Sequence, residues 1–230
     1  MKPSRILLVV FLVLFSGALV ATAFHYDTRV RDGIVTAQGK GWKKTSEARA
    51  IGAISKYGDW PQLMIIGGLG AVLAWRLRRP EWTRILVAAM IASTLAGMLA
   101  NTSRLTTGRV RPRDEKKNGV GFHGPFHEGK LTVGNSKFNA FPSGHTATAV
   151  GFAGVVLFAR PLIGILPLLL ALLIAWSRMA LGAHHLSDVT VSILLSLGVA
   201  WFVWKYARSH GDAVARAVTA RLTALRRRHA

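Results

Sequence analysis

The sequence predicts an all-α membrane protein, a six-transmembrane-helix bundle, and three observations carry that expectation. Apolar residues make up 51% of the 230-residue chain and charged residues 17%, a greasier balance than that of an average soluble protein. The apolar residues are gathered into runs long enough to cross a bilayer. The basic residues, 30 against 10 acidic ones for a net charge of +20, fall largely between those runs. So basic a chain invites a nucleic-acid reading, but a binding stripe should be contiguous and these charges are scattered over separate loops. No nucleic-acid partner is expected. With no cysteine in the chain, disulfide and thiolate chemistry are excluded.

The first run, Ile6 to Phe24, is uncharged and close to the ~20 residues a crossing needs. It follows the basic start Met1-Lys2-Pro3-Ser4-Arg5, and Ala21-Thr22-Ala23 resembles a signal-peptide cleavage site. The run is longer than the usual apolar stretch of a signal peptide, so it is read as an uncleaved first helix. Residues 25–59 are polar, with Gly33, Gly39 and Gly41 as breakers, and Arg49 to Tyr57 is expected to form a short interfacial helix. Pro61 to Trp75 is the second span, with Trp60 and Trp75 placed as interfacial anchors. The basic loop Arg76-Leu77-Arg78-Arg79-Pro80, with Arg84, leads into the third span, Ile85 to Asn101. A polar loop rich in breakers then covers residues 104–141. Gly144 to Phe158 and Leu162 to Trp176 are together too long for one crossing, and Ala159-Arg160-Pro161 between them predicts a tight helical hairpin. Val189 to Tyr206 is the sixth span. Residues 1–206 are thus expected to form the membrane domain and 207–230 a basic tail. In that tail Val214, Val218, Leu222 and Leu225 share one helical face, an arrangement suited to an anionic lipid surface.

Charge in the short loops orients the bundle. With the N-terminus inside, Lys2, Arg5, the Arg76–Arg84 cluster, Arg160 and the basic C-terminus are all cytoplasmic. Residues 25–59 also carry seven Lys or Arg against four acids, but the Arg76–Arg84 loop is shorter and denser and decides the matter. Three polar clusters then share the outer face. They are Arg104-x6-Arg111-Pro112, Pro142-Ser143-Gly144-His145 and Ser177-Arg178-x5-His184-x3-Asp188. Ionisable residues at the ends of membrane helices are costly and point to function.

Taken singly, Arg104, Arg111 and Arg178 read equally well as snorkelling arginines near span ends. Together they offer planar, permanently charged donors for the oxygens of a phosphate. Ser143 is placed to cap the fourth helix, and Gly144 lets backbone N–H groups approach an anion at its N-terminus. His184 and Asp188 are spaced one helical turn apart, so the carboxylate is expected to accept from one imidazole nitrogen and leave the other free for attack. His185 competes for that role, but its residue at i+4 is Val189. A metal site is the rival chemistry, from His184, His185 and Asp188 or from His123 and His127. Gly124 and Pro125 disfavour a helix through the second pair, and no carboxylate cluster exists for a two-metal site. Surrounding arginines would repel a cation, so no metal and no cofactor are expected.

In order and spacing the three clusters resemble the signature motifs of the type 2 phosphatidic acid phosphatase (PAP2) superfamily, which also includes bacterial acid phosphatases and vanadium haloperoxidases. That pattern is Lys-x6-Arg-Pro, Pro-Ser-Gly-His and Ser-Arg-x5-His-x3-Asp, and Arg104 here replaces the lysine. The resemblance implies that His184 attacks phosphorus to form a phosphohistidine, with Asp188 orienting it. It implies that His145 protonates the leaving oxygen and later helps activate water. Arg104, Arg111, Arg178, Ser143 and the Gly144 amide would hold the phosphoryl oxygens.

A six-span member is expected to be a lipid phosphatase of a bacterial inner membrane whose site faces the periplasm. Undecaprenyl diphosphate, phosphatidylglycerophosphate, phosphatidic acid and a lipid A phosphate are all candidate substrates. His185-Leu186-Ser187-Asp188 is similar to the corresponding stretch of bacterial lipid A phosphatases, which does not rank them. Two other readings stay open: a lipid phosphotransferase, and a non-enzymatic lipid-phosphate binding or transport protein, which would need the arginines alone.

Overall fold

The structure, a computed structural model, describes the backbone of residues 3–228 and, Pro3 and Arg5 apart, the side chains up to Gly211. Helix α1 (Pro3–Gln38) runs unbroken for 36 residues, past the expected end at Phe24. Of the three glycines read as breakers, Gly33 lies inside it, since one helical glycine costs only about 1 kcal/mol. Gly39 and Gly41, both at positive φ, end it. The Ala21-Thr22-Ala23 stretch is therefore mid-helix, with Ala23 buried.

Helix α2 (Ser46–Lys56) is capped by Thr45, whose hydroxyl accepts from the Ala48 amide, and corresponds to the expected interfacial segment. Helix α3 (Trp60–Arg76) starts with Pro61 in its first turn. Helix α4 (Pro80–Thr107) runs beyond Asn101, so that Arg104 sits in its last turn rather than in a loop. The connection to the next long helix holds a single turn, α5 (Glu115–Asn118), and a two-stranded antiparallel hairpin, β1 (Phe126–His127) with β2 (Lys130–Leu131). Helices α6 (Gly144–Ala159) and α7 (Pro161–Ala180) form the tight hairpin. Helix α8 (Leu186–Arg228) continues past Tyr206, the expected end of the sixth span, through Gly211-Asp212. The amphipathic face expected from Val214 to Leu225 falls outside the described side chains.

The long helices alternate in direction, and their contacts show which ends meet. Gln38 Nε2 at the end of α1 donates to Ala180 O at the end of α7, at 2.8 Å. Arg104 Nε near the end of α4 donates to Pro142 O, just before α6, at 2.9 Å. The Ser143 amide, at the start of α6, donates to Asp188 O in the first turn of α8 at 3.3 Å. At the opposite end Arg160, between α6 and α7, pairs with Glu81 at the start of α4 at 2.5 Å. All three polar clusters thus converge on one end of the bundle.

Helix α6 is the centre of the packing, buried almost all round from Gly144 to Val156. It meets α4 along a seam of small residues, where Ala92, Ala96, Gly97 and Ala100 pack against Ala147, Thr148 and Gly151, while Gly154 faces Ala200 of the last helix. Small side chains let two backbones approach closely where no hydrophobic force drives helices together, as in lipid. The outward faces are apolar, with Leu7, Leu69 and Leu162 well exposed. Among the described residues four stretches are long and apolar enough to cross a membrane: Ile6–Gln38, Pro80–Thr107, Pro161–Ala180 and Leu186–Gly211. Gly144–Ala159 is a shorter apolar helix, and α3 has 17 residues.

Candidate active site

The site is built where the ends of α4 and α7 meet the starts of α6 and α8. The Arg109–Arg111 segment leaves α4 after Gly108 and is laced into the neighbouring loops. The Arg111 amide donates to Lys137 O at 2.9 Å, and Arg109 O accepts from the Ala140 amide at 3.0 Å. Arg113 N donates to Gly182 O at 3.1 Å, which ties the first cluster to the loop carrying His184. Arg104 lies against the start of α6. A Cβ at Gly144 would stand 2.9 Å from its Nη2, so any other residue would have to push the guanidinium aside.

Ser143 occupies the N-cap position of α6 but does not cap it as the sequence suggested. Its hydroxyl instead accepts from Thr146 Oγ1 at 2.9 Å. The seryl O–H remains a donor, and among the described residues the cap side chain leaves the first-turn amides, which face an anion at a helix N-terminus, unengaged.

His184 differs from the expectation in one respect. It lies in the loop before α8, which begins at Leu186, so Asp188 is not one helical turn beyond it. Its Nδ1 is 2.6 Å from Ala140 O, which accepts the N–H, while the nearer carboxylate oxygen of Asp188 stands 3.7 Å off. Asp188 is occupied elsewhere: Oδ2 accepts from the His185 amide at 2.7 Å and Oδ1 from Arg109 Nη1 at 2.5 Å. The first of these is one half of a capping box, a third-position carboxylate reaching back to the N-cap amide. With Nδ1 as the donor, Nε2 of His184 carries the lone pair, and it is buried with no partner among the described residues. Arg111 Nε and Arg178 Nε are likewise buried without acceptors. Burial above all, then the charges of Arg104, Arg178 and Arg111, holds the His184 imidazole well below its ordinary range, so it is neutral. Burial, followed by the neighbouring Arg113, also lowers Arg111, although an arginine remains charged.

His185 is turned away, its Nε2 3.2 Å from Val110 O and 3.4 Å from Glu115 Oε1. Burial and then the adjacent Arg109 push it down to about 4. His123 and His127 pack ring to ring against Phe138. Among the described residues no group of three His, Cys, Asp or Glu side chains could hold a metal ion.

Sequence reasoning missed several residues that the fold draws in. Arg109 is buried in a box of Phe24, Phe122 and Phe141, its guanidinium carbon 4.8–5.9 Å from the ring centres. It bridges Asp188 to Asp27 of α1, donating to Asp27 Oδ2 at 2.7 Å. Asp27 also accepts from the Ser187 amide at 2.8 Å and its hydroxyl at 2.6 Å. On the other side of the site Asp59 Oδ1 is 2.5 Å from His145 Nε2, and Ser55 Oγ accepts from Arg178 Nη1 at 2.6 Å. The signal for Asp59 was its place just before Trp60-Pro61, an N-cap position. No local signal marked Asp27, because its partners are remote in sequence.

The sequence profile of the PAP2 superfamily matches residues 82–212, more than half of the chain and all three clusters. The chain belongs to the PAP2 superfamily. Two lipid A 1-phosphatases are similar to this PAP2 chain over 107 residues. That of Rhizobium johnstonii is 31% identical, over 46% of this chain and 40% of its own length. That of Rhizobium etli is 29% identical, over 46% of this chain and 42% of its own length. The match thus spans about two-fifths of those relatives. Two crystal structures share the PAP2 fold. Aquifex aeolicus LpxE has a TM-score of 0.54 at 19% identity, over 78% of this chain and 95% of the other. The transmembrane PAP2-type phosphatidylglycerolphosphate phosphatase of Bacillus subtilis has a TM-score of 0.55 at 20% identity, over 87% and 96%. With its apolar helices, this PAP2 chain is an integral membrane protein.

Proposed function

We propose that this chain is a metal-independent lipid phosphatase working through a phosphohistidine. One observation carries the reading: His184 presents a buried, unpartnered Nε2 lone pair amid three arginines and beside the N-terminus of a helix. A neutral imidazole so placed is a nucleophile, and the arginines, the Ser143 hydroxyl and the Gly144 amide are donors for the charge that spreads over phosphoryl oxygens. His184 Nε2 attacks phosphorus as the bond to the lipid oxygen breaks, and His145 gives that oxygen its proton. His145 then takes a proton from the water that hydrolyses the phosphohistidine. As the His184 ring gains positive character, its Nδ1–H keeps Ala140 O, and Asp188 at 3.7 Å supplies the opposing charge. Asp188 therefore acts across a gap, with its own position fixed by Arg109 and the His185 amide.

The six alternating helices are read as six spans, with the site at the periplasmic face of a bacterial inner membrane and the basic tail against anionic lipid. There the phosphate of an outer-leaflet lipid reaches the site from the side. Among candidate substrates a lipid A 1-phosphate is favoured, because two curated relatives are lipid A 1-phosphatases. The test is phosphate release from purified lipid A, phosphatidylglycerophosphate, phosphatidic acid and undecaprenyl diphosphate in detergent with excess chelator. Release of free phosphate from lipid A ahead of the others is expected. Transfer of phosphate to another lipid would make the protein a phosphotransferase, and loss of activity with chelator would require a metal.

A further inference from the structure

The turn from Ser55 to Asp59, between α2 and α3, lies outside the three clusters and outside the residues matched by the family profile. It is nevertheless fastened to the site at several points. Thr148 Oγ1 in α6 donates to Gly58 O at 2.6 Å. A Cβ at Gly58 would stand 2.5 Å from Ile174 Cγ2 of α7 and 3.3 Å from His145 O, so only glycine lets the turn lie this close to both helices. Ser55, itself buried, holds Arg178 by its Nη1 at 2.6 Å. Asp59 occupies the N-cap position of α3, where its carboxylate would ordinarily accept from a first-turn amide, yet it makes no capping bond. The carboxylate is turned to His145 Nε2 at 2.5 Å instead.

We propose that this turn is a fourth segment of the active site and that Asp59 is the positioning residue for His145. By accepting the Nε2 proton, Asp59 fixes the ring and leaves Nδ1 as the nitrogen that serves the substrate. In the first step the Nδ1 proton moves to the leaving oxygen, which keeps the electron pair of the broken P–O bond. His145 is then neutral, with its remaining proton on Nε2 toward Asp59. In the second step Nδ1 takes a proton from the attacking water, which restores the starting state. This inference rests on the reading of His145 as the general acid.

The experiment uses the full-length protein in detergent and two substrates, an alkyl lipid phosphate, whose leaving oxygen needs a proton, and 4-nitrophenyl phosphate, whose leaving group does not. Asp59→Ser keeps a good N-cap for α3 but is too short to hold Nε2. It is expected to slow the alkyl substrate on the order of tenfold to a hundredfold, part of what a general acid contributes, and the aryl substrate much less. Aryl turnover therefore also reports that the variant is folded. Asp59→Glu is expected to recover part of the loss, and adding Asp59→Ser to His145→Ala is expected to cost nothing more. Equal slowing of both substrates, or a further loss in the double variant, would overturn the role of Asp59. If His145→Ala shows the leaving-group selectivity and Asp59→Ser does not, the inference fails alone. If His145→Ala shows none, the acid reading of His145 fails and takes the inference with it.

Discussion

His184 is tethered through Nδ1 to a backbone carbonyl, so its tautomer is set by a group that mutation cannot easily remove. His184→Ala should abolish turnover together with any acid-labile phosphoenzyme, measured by trapping with labelled substrate. Because burial and the arginines hold the ring well below its ordinary range, His184 stays neutral through pH 6.5, and kcat should show no acid limb from it there. The same shift fixes a stability trend. An unfolded chain gains protons on His184 and His185 near pH 6.5, whereas the folded His185 does so only at about 4 and burial holds the folded His184 well below its ordinary range. Stability from these two residues is therefore complete above about pH 6.5 and is lost as pH falls toward 4. A thermal-unfolding series in detergent should show that slope, and His185→Gln should flatten part of it. Arg104 replaces the family lysine and donates to Pro142 O at 2.9 Å and to Asn101 Oδ1 at 3.1 Å, two bonds made by separate nitrogens of one planar fork. Arg104→Ala should cost about 1.5–3 kcal/mol in kcat/KM, the range for a charged hydrogen bond, and Arg104→Lys should keep much of the activity. Full activity in Arg104→Ala would return the residue to a snorkelling role.

Helix α1 is an example of what the sequence does and does not disclose about an element. Its apolar run was legible from hydropathy, because a bilayer leaves one solution for an uncharged stretch of that length. Its continuation to Gln38 was not, since residues past Phe24 are polar and only tertiary partners explain them as helix. Asp27 is such a residue, buried in α1 and joined to Arg109, Ser187 and through Arg109 to Asp188. The three clusters were legible for the opposite reason, being short, ordered and chemically unusual among apolar runs. The hydrogen-bond pairing of His184 with Asp188 was misread because i, i+4 spacing has meaning only inside a helix, and α8 begins two residues too late. Removing Asp27 leaves Arg109 buried with one carboxylate instead of two. Asp27→Ala should therefore destabilise the protein by roughly 3–5 kcal/mol, as when a buried ion pair loses one partner. Activity should fall with it, because Asp188 loses the support of Arg109. A thermal midpoint in detergent matching the parent would show that α1 is dispensable to the site.

At the scale of the whole molecule, the alternating helices gather every cluster at one end and leave the Arg76–Arg84 loop, Arg160 and Glu81 at the other. That segregation follows from the connectivity, whichever way the bundle is inserted. Insertion is decided by which end carries the short, dense positive loop, since translocating lysine and arginine beside a span is disfavoured. The site end is basic too, but three of its arginines are committed to the pocket and Arg109 and Arg31 are paired with acids, Arg31 with Glu115. The Arg76–Arg84 turn is shorter and more densely basic than the polar stretches of the site end. The site end is therefore expected outside. A reporter that works only beyond the cytoplasm, fused after Asn135, should be active, and a cytoplasmic reporter at the C-terminus should be active as well. The reverse pattern would place His184 on the cytoplasmic face, and the substrate would then have to be a lipid phosphate of the inner leaflet.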